Sequence, residues 1–407
     1  MTLQRIKDVA RINQHVLPES TDPNFRFRYI DIGAVDNIGN VTIPDDDSIF
    51  SSAPSRARRK ALPGSVLVST VRTYLRAIAV APKHESPLVF STGFAVLDAQ
   101  PGVSGRFLGY HCRSQPFVDE VVARSTGVSY PAINASEIGN LPISLPPLKE
   151  QHRIADFLDA EISRIDALFD ARRSQVTVLD ERMESVREET FGGGAAGASP
   201  TRLMHLTDPY RPIVYGIVQA GPEFTQGIPY IKTGDLKKMD PASLSRTSPE
   251  IHAQFRRAAV HPGDIVIAMR ASIGAIASVP AELPVANLTQ GTARIAAAPG
   301  VDKDWLFQAL KTRGVQEQCD LRAVGSTFRT LNIWDLRRIT INAVPSARQK
   351  VVTRSFSALD RQHRMVRHAA QRQLTLLAER RQALITAAVT GQFDVSTASG
   401  RNVTDGV

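Results

Sequence analysis

The chain has 407 residues, 43% of them hydrophobic and 22% charged, with a net charge of +9 at pH 7. This composition is typical of a globular chain with two or three domains, and the absence of a long apolar run excludes a transmembrane protein. The first residues lack the apolar core of a signal peptide, so we expect a cytoplasmic protein, and the positive charge favours an acidic partner, nucleic acid first. The two cysteines, Cys112 and Cys319, are too few for a disulfide framework or a cysteine zinc site, and we expect each to fill space in a core.

The sequence contains one unit twice. Tyr29–Gly33 recurs as Tyr230–Gly234, and the matched segments, this one included, have an almost constant offset of 198 to 201 residues. These segments are Pro63–Val68 with Pro262–Ile267, Ala77–Ala79 with Ala275–Ala277, Gly127 with Gly325, Asn134 with Asn332, and Gln151 with Gln349. A constant offset over so many turn residues indicates an internal duplication.

Each copy begins with a mixed α/β pattern. A Pro-Gly turn leads into a β-branched strand, a second strand follows, and a stretch with helical spacing precedes a loop that contains glycine. The strands are predicted at 65–69 and 77–81, and in the second copy at 264–268 and 275–279; the helical stretches at 103–125 and 301–324; the loops at 125–130 and 324–329.

Each copy ends in a segment with the apolar spacing of a long helix. The first follows the proline pair Pro146-Pro147 and contains no proline or glycine from Leu148 to Phe191, which predicts a helix roughly 60 Å long. The second runs from Pro345 to Gly391. The residues predicted to form the seam between the helices are Leu158, Ile162, Ile165, Phe169, Val176, Leu179 and Met183 in the first and Val352, Phe356, Leu359, Val366, Leu377 and Leu384 in the second.

The charges of the two segments predict how they are used. Residues 149–190 contain 7 basic and 11 acidic side chains, whereas residues 346–391 contain 9 basic and 2 acidic ones. Opposite charge favours pairing of the two helices with each other over two solvated helical faces, which is the alternative. The predicted domains are residues 1–145, a helix at 146–191, a Gly/Ala-rich linker at 192–200, residues 201–345, a helix at 346–391 and a tail at 392–407.

The sequence lacks the motifs of an active site. It contains no phosphate-binding Gly-x-x-x-x-Gly-Lys-Ser/Thr loop, no Gly-x-Gly-x-x-Gly fingerprint and no His-Glu-x-x-His zinc helix. His111 and Cys112 have no base or orienting acid nearby in sequence, which favours a core or surface role. We therefore expect a chain without catalytic residues, metal or cofactor.

What remains is binding to DNA. Basic residues cluster before strands, and three arginines lie in predicted turns, where a guanidinium can reach phosphates or a guanine edge. The alternative for each is an ordinary solvated charge. The predicted DNA-binding residues are Arg56, Arg58, Arg59, Lys60, Arg72, Arg76, Ser129 and Tyr130 in the first copy and Lys232, Lys237, Lys238, Arg256, Arg257, Arg270, Thr327 and Arg329 in the second.

Three segments resemble a known family, the specificity (S) subunits of type I restriction-modification systems. They are Leu145–Gln151, Ile154–Leu168 and Leu377–Gly391, and the resemblance extends over essentially the whole chain. The second copy departs from it, with Val344-Pro345-Ser346 where the first has Pro146-Pro147-Leu148.

The resemblance implies an α+β protein with two tandem target recognition domains, each followed by a long helix, and with the helices packed as an antiparallel coiled coil. It implies that each domain reads one half of a bipartite double-stranded DNA target. Two methyltransferase (M) subunits would dock on the helices, and restriction (R) subunits would join through the assembled complex. The alternatives are a coiled-coil scaffold for protein partners and a stand-alone DNA methyltransferase or nuclease with unfamiliar motifs; a specificity protein whose methyltransferase partner is missing is a further possibility.

Overall fold

The structure is a computed structural model that describes residues 2–194, 197–217, 219–326 and 329–395. The chain forms two compact units, one comprising Met1–Arg173 and Gln371–Val407 and the other Ser174–Ala370. Each unit contains one globular domain and a part of each long helix. The order of elements confirms the prediction of mixed α/β domains that are each followed by a long helix.

The first domain places its strands in three sheets. The strands are β1 (Thr2–Arg5), β2 (Ala10–Ile12), β3 (Arg26–Ile30), β4 (Ser48–Ile49), β5 (Ala57–Lys60), β6 (Val66–Ser69), β7 (Ile78–Val80), β8 (Leu88–Ser91), β9 (Phe94–Ala99) and β10 (Pro142–Leu145). The helices are α1 (Ile6–Val9), α2 (Gly105–Arg113), α3 (Gln115–Ala123), α4 (Ala135–Gly139) and the long α5 (Leu148–Phe191). The sheet orders are β2-β9-β6-β7, β4-β3-β8-β5 and β1-β10, and within them β3 and β8 are parallel.

The second domain repeats this plan with shorter sheets. Its strands are β11 (Ser199–Arg202), β12 (Ile228–Ile231), β13 (Arg246–Thr247), β14 (Ile265–Ala268), β15 (Ile276–Ser278), β16 (Asn287–Leu288), β17 (Thr292–Ile295) and β18 (Thr340–Ala343). The helices are α6 (Pro249–Gln254), α7 (Lys303–Leu310), α8 (Arg313–Leu321), α9 (Ile333–Arg337) and the long α10 (Ser346–Thr390). The sheet orders are β15-β14-β17, β13-β12-β16 with β12 parallel to β16, and β11-β18.

The central strands explain the apolar runs that recur in the sequence. Val66 and Val68 of β6 face one core, which the helices cover, while Leu67 faces a second core on the other side of the sheet. In β14, Ile265 and Ile267 face one core and Val266 the other. A strand that is buried on both faces has no polar alternation, so its side chains read as a continuous apolar run.

The helical stretch predicted at 103–125 is two helices instead of one. α2 ends at Ser114, whose backbone is extended with a ψ of 150°, and Pro116 occupies the first turn of α3. Proline fits the first turn of a helix but not its interior, so the chain breaks before it. The second copy breaks at Thr312 between α7 and α8, where ψ is 146°.

In the first unit the two long helices run antiparallel. Nε of Arg381 lies 3.1 Å from Oδ1 of Asp166. Further along, Phe393, just after α10, packs against Phe157 with ring centroids 5.5 Å apart. The residue numbers of the contacting positions therefore decrease along α5 as they increase along α10. This is the antiparallel order that the resemblance implied.

The second unit shows the same order with different side chains. Oδ1 of Asp180 lies 3.0 Å from Nε2 of His363, and Phe191 at the end of α5 packs edge-on against Phe356 with centroids 5.1 Å apart.

The most buried stripe of α10 differs from the predicted seam. Leu158, Ile162 and Ile165 are buried as expected, and so is Phe356. Leu359 and Val366, however, are 49% and 40% exposed. The stripe in α10 instead follows the repeat of α5, and its members are Gln349, Thr353, Phe356, Asp360 and His363, which match Gln151, Ala155, Leu158, Ile162 and Ile165. The remaining predicted seam residues Phe169, Val176, Leu179, Met183, Val352, Leu377 and Leu384 are half-buried.

The left-handed backbone conformation of Ala271 can be tested by replacing this residue with glycine. Ala271 has a φ of +60° and is exposed, a conformation in which a Cβ costs about 1 to 2 kcal/mol. We expect Ala271→Gly to raise the free energy of unfolding by about 1 kcal/mol in urea titrations. The same exchange at the exposed helical Ala378 should lower it by about 0.5 to 1 kcal/mol. Equal signs at the two positions would contradict this backbone assignment.

Candidate nucleic-acid interface

A cleft in the first domain brings together four of the predicted DNA-binding residues. Arg56, Arg72, Arg76 and Tyr130 come from three separate segments and line a cavity of about 1030 Å³. Arg56 and Arg72 are exposed, and the guanidinium of Arg72 lies 4.7 Å from the centre of the Tyr130 ring. Cationic groups beside an exposed ring can contact phosphates and stack on bases. We call this cavity the arginine cleft.

Hydrogen bonds hold the wall of the arginine cleft in place. The connection between β6 and β7 is a short 3-10 helix, Thr73–Leu75. The backbone N–H of Arg72 donates to the carbonyl of Pro131 at 2.7 Å, and the hydroxyl groups of Thr73 and Ser125 lie 2.7 Å apart. Nη2 of Arg76 donates to Oε1 of Gln115 at 2.9 Å. The arginine-bearing turn is thereby fixed to the loop that presents Tyr130.

The backbone at this turn is strained at both ends. Arg72 and Arg76 have φ values of +49° and +56°, in the left-handed region that residues with a side chain rarely adopt. Such conformations persist where the surroundings enforce them, and they cluster at binding sites. In the second domain, Ala271 is left-handed at the position that matches Arg72, and Arg270 matches Val71. Both turns therefore begin with a left-handed residue at the same position, and each presents a different arginine.

The other basic residues of the first cluster lie outside the residues that line the arginine cleft. Arg58 is half-buried, with its guanidinium 4.8 Å from the centre of the Phe50 ring. Arg59 is half-buried within β5, where burial lowers the pKa of its guanidinium. Lys60 is exposed at the end of the same strand. Ser129 is exposed in the loop before Tyr130.

The predicted residues of the second domain lie on separate segments. Lys232 donates to the hydroxyl of Ser245 at 2.8 Å, and Arg329 pairs with Asp320 at 2.8 Å. Thr327 lies outside the described residues. The exposed residues are Lys237 at the end of a 3-10 helix, Lys238 after it, Arg256 and Arg257 in another 3-10 helix, and Arg270 after β14.

Sequence reasoning missed several residues that line the arginine cleft, among them Tyr74 and Asn37. Tyr74 is 53% exposed between the two left-handed arginines, and Asn37 comes from the loop after β3. An aromatic residue between two arginines was a usable signal for Tyr74, because stacking aromatics accompany basic residues at nucleic-acid surfaces. Asn37 reaches the cleft through tertiary folding and gave no signal.

Cys112 and Cys319 are core residues, and His111 is half-buried beside the first of them. Cys112 and Cys319 are buried, and burial raises the pKa of each thiol, that of Cys319 to about 11. Burial also lowers the pKa of His111 to about 4, and its ring packs edge-on against Phe117. Within the described ranges, no group of three or more His, Cys, Asp or Glu side chains is placed to hold a metal ion. In that same part of the chain, no helix combines the length and apolar character needed to span a bilayer.

The low pKa of His111 predicts a loss of stability in acid. The unfolded chain binds this proton near pH 6.5, whereas the folded chain resists it until about pH 4. The unfolded state therefore binds more protons in this window, and stability falls by up to about 3 kcal/mol as the pH falls through it. We expect His111→Phe to flatten that decline in urea titrations between pH 7 and pH 4.5. An equally steep decline in the variant would contradict the assignment.

Comparison with known proteins relates the first part of the chain to a known family. The family described as "Type I restriction modification DNA specificity domain" matches residues 2–177. The type I restriction enzyme EcoBI specificity subunit of Escherichia coli is 24% identical over 289 residues, which span 63% of this chain and 56% of that protein. Residues 2–177 therefore match this family, and the chain is similar to type I restriction-modification specificity subunits.

Two solved structures share the fold of this chain. A chain described under "Structural basis underlying complex assembly and conformational transition of the type I R-M system" has a TM-score of 0.78 and 24% identity, with 96% of this chain and 98% of that chain covered. The HsdS subunit from Thermoanaerobacter tengcongensis has a TM-score of 0.53 and 24% identity, with 96% and 97% covered. The specificity-domain match contains the whole arginine cleft and ends within α5.

Proposed function

We propose that this chain is the DNA sequence-recognition subunit of a type I restriction-modification complex. It reads a bipartite double-stranded target, one half with each domain, and contributes no catalytic residue or cofactor. The observation that carries this proposal is the duplicated architecture: the plan of the domain that matches the family recurs in the second half of the chain with fewer strands. We place its activity in the cytoplasm.

The arginine cleft is proposed as the reading surface of the first domain. Arg56, Arg72 and Arg76 supply positive charge for phosphates and a guanidinium fork that fits the O6 and N7 atoms of guanine. Tyr130 and Tyr74 supply rings for stacking or for contact with sugars. In the second domain, Arg270 and the exposed residues Lys237, Lys238, Arg256 and Arg257 take these roles, and Arg329 and Thr327 remain proposed contacts of its loop.

The long helices are proposed to set the spacing between the two half-targets. Because α5 and α10 each continue from one unit into the other, their length limits how far apart the two domains can bind. One added helical turn would move a domain by about 5.4 Å along the helix axis. Sequence specificity then comes from two short half-targets, one recognised by each domain, and from one permitted gap between them.

The same helices are proposed to dock the catalytic partners. Two methyltransferase subunits would bind along them, and restriction subunits would join through the assembled complex. This division of labour leaves methylation, ATP use and cleavage to subunits with their own cofactors. We expect the isolated chain to bind neither S-adenosylmethionine nor ATP in calorimetric titrations.

The salt dependence of duplex binding tests the proposal. Each phosphate contact contributes a slope of about −0.9 in a plot of log K against log salt concentration. The full chain, titrated by fluorescence anisotropy against a labelled duplex pool of random sequence, should show a slope of about −3 or steeper. A protein scaffold would show no affinity for duplex DNA even at low salt, and that result would overturn the proposal.

A further inference from the structure

A buried glutamine joins the first domain to the start of its long helix. Gln151 is 1% exposed, and its Oε1 accepts the backbone N–H of Ser104 at 2.8 Å. Its Nε2 donates to the carbonyl of Pro146 at 2.8 Å and to that of Gly102 at 3.3 Å. Ser104 is the N-cap residue of α2, so one side chain of α5 holds the first helix of the domain core.

The second domain contains the same joint 198 residues later. Gln349 is 3% exposed, its Oε1 accepts the backbone N–H of Asp302 at 2.8 Å, and its Nε2 donates to the carbonyl of Val344 at 2.9 Å. Asp302 is the N-cap residue of α7. The hydroxyl of Ser346 donates to the carbonyl of Gly300, the group that matches Gly102. The departure of the sequence at Ser346 therefore keeps the same carbonyl bound.

A second joint connects each domain to the other long helix of its unit. In the first unit, the backbone N–H of Gln115 donates to Oγ1 of Thr386 at 3.0 Å. In the second unit, the backbone N–H of Arg313 donates to Oε2 of Glu188 at 2.8 Å. Both N–H groups belong to the first residue of a domain helix, α3 or α8, and both pairs again differ by 198.

These joints have the geometry needed to fix a rotation. Apolar burial has no required direction, whereas a hydrogen bond has one, and a buried partner left alone is unfavourable. Each domain is held by one such joint on each helix of the pair. Further contacts support the joints, among them Tyr110 to Asp159 in the first unit and Arg187 to Gln308 in the second. Two directional contacts on separate helices leave the domain one orientation relative to the pair in its unit.

We infer that Gln151, Gln349, Thr386 and Glu188 are positioning residues that set the orientation of each reading domain on the helix pair and thereby the permitted gap between half-targets. This inference rests on the proposed function. A gap one base pair longer shifts a half-target by about 3.4 Å along the duplex and turns it by roughly 35°. A domain that is held at both joints is restrained from following that turn, and a domain released at one joint is restrained less.

The test is a selection of duplexes from a random-sequence library with the full chain, followed by sequencing of the gap lengths. The variants are Gln151→Ala and Glu188→Ala. The controls are His152→Ala, an exposed neighbour of Gln151, and Glu188→Gln, which keeps the acceptor oxygen. We expect the alanine variants to raise the share of gaps one base pair longer or shorter by about tenfold while both half-motifs keep their sequence. Both controls should match the wild-type distribution.

Gap distributions as narrow as that of the wild type in both alanine variants would overturn the inference. If Gln151→Ala unfolds the first domain, that half-motif disappears, and the result for Glu188→Ala decides. A wild-type chain that selects no gapped motif would overturn the proposed function itself, whereas a gapped motif with unchanged gaps in both alanine variants overturns this inference alone.

Discussion

Replacing Arg56 and Arg72 together by alanine is expected to weaken binding to target DNA by about a hundredfold. Both guanidinium groups are exposed in the arginine cleft, and Arg72 lies over the ring of Tyr130. The loss combines a charge that positions the phosphate backbone with a fork that contacts a base edge. If one of the two contacts is to a phosphate, the salt slope should become shallower by about 0.9.

A matched pair of substitutions separates this local effect from overall charge. The double variant Lys83→Ala, Arg153→Ala also removes two positive charges. Both positions are exposed and lie outside the residues that line the arginine cleft. We expect a change of less than about threefold, since scattered surface charges are screened at physiological salt. Anisotropy titrations with the selected target measure both proteins. Equal losses of DNA affinity in the two double variants would show that the arginine cleft makes no specific contact with DNA.

Replacing Phe356 by alanine is expected to lower the free energy of unfolding by about 3 to 5 kcal/mol, because the change leaves a cavity in a close-packed core. Phe356 is 2% exposed and packs edge-on against Phe191, with ring centroids 5.1 Å apart. The guanidinium of Arg187 lies 5.5 Å from the centre of the Phe356 ring. It therefore joins α10, the end of α5 and the core of the second domain. Urea titrations followed by circular dichroism measure the change.

The control for this substitution lies three residues further along the same helix. Leu359 is 49% exposed, and Leu359→Ala should cost less than about 1 kcal/mol. The pattern of apolar residues predicted both positions for the seam, so the comparison distinguishes the stripe of the structure from that pattern. A cost for Leu359→Ala equal to that for Phe356→Ala would contradict the packing of α10 described above.

The duplication was predictable because turn residues mark it. Gly127 and Gly325 have φ values of +106° and +115° in matching loops, and Gln151 and Gln349 make matching hydrogen bonds. A glycine in a left-handed turn and a glutamine that satisfies buried backbone groups are hard to replace, so they recur while apolar neighbours vary. The two long helices were predictable from their apolar spacing and from the lack of interior breakers.

The seam of α10 was only partly predictable for a physical reason. Asp360 and His363 have side chains 17% and 12% exposed, yet a search for apolar residues passes over them in favour of Leu359 and Val366. His363 is buried because Asp180 pairs with it across the helices, and that partner is visible only in the folded chain. The tail was expected to start after the helix, but Phe393 packs on Phe157 in the core of the first unit.

The arginine cleft shows the same limit. Arg72 and Arg76 could be placed in a turn between strands, because a turn after an apolar run has a local signature. Arg56 meets them only through the folding of the sheets, and Arg59 from the same basic cluster is half-buried in β5 instead. Local sequence shows which residues can bind an anion, and tertiary packing decides which of them share a surface.

The most direct measurement is the motif that the full chain selects from a library of random duplexes. We predict two short blocks of defined sequence separated by a gap of constant length and undefined sequence. The Arg56→Ala, Arg72→Ala double variant should lose one block and keep the other. A single continuous block, or no enrichment at all, would contradict the view that two tandem domains each read one half of the target.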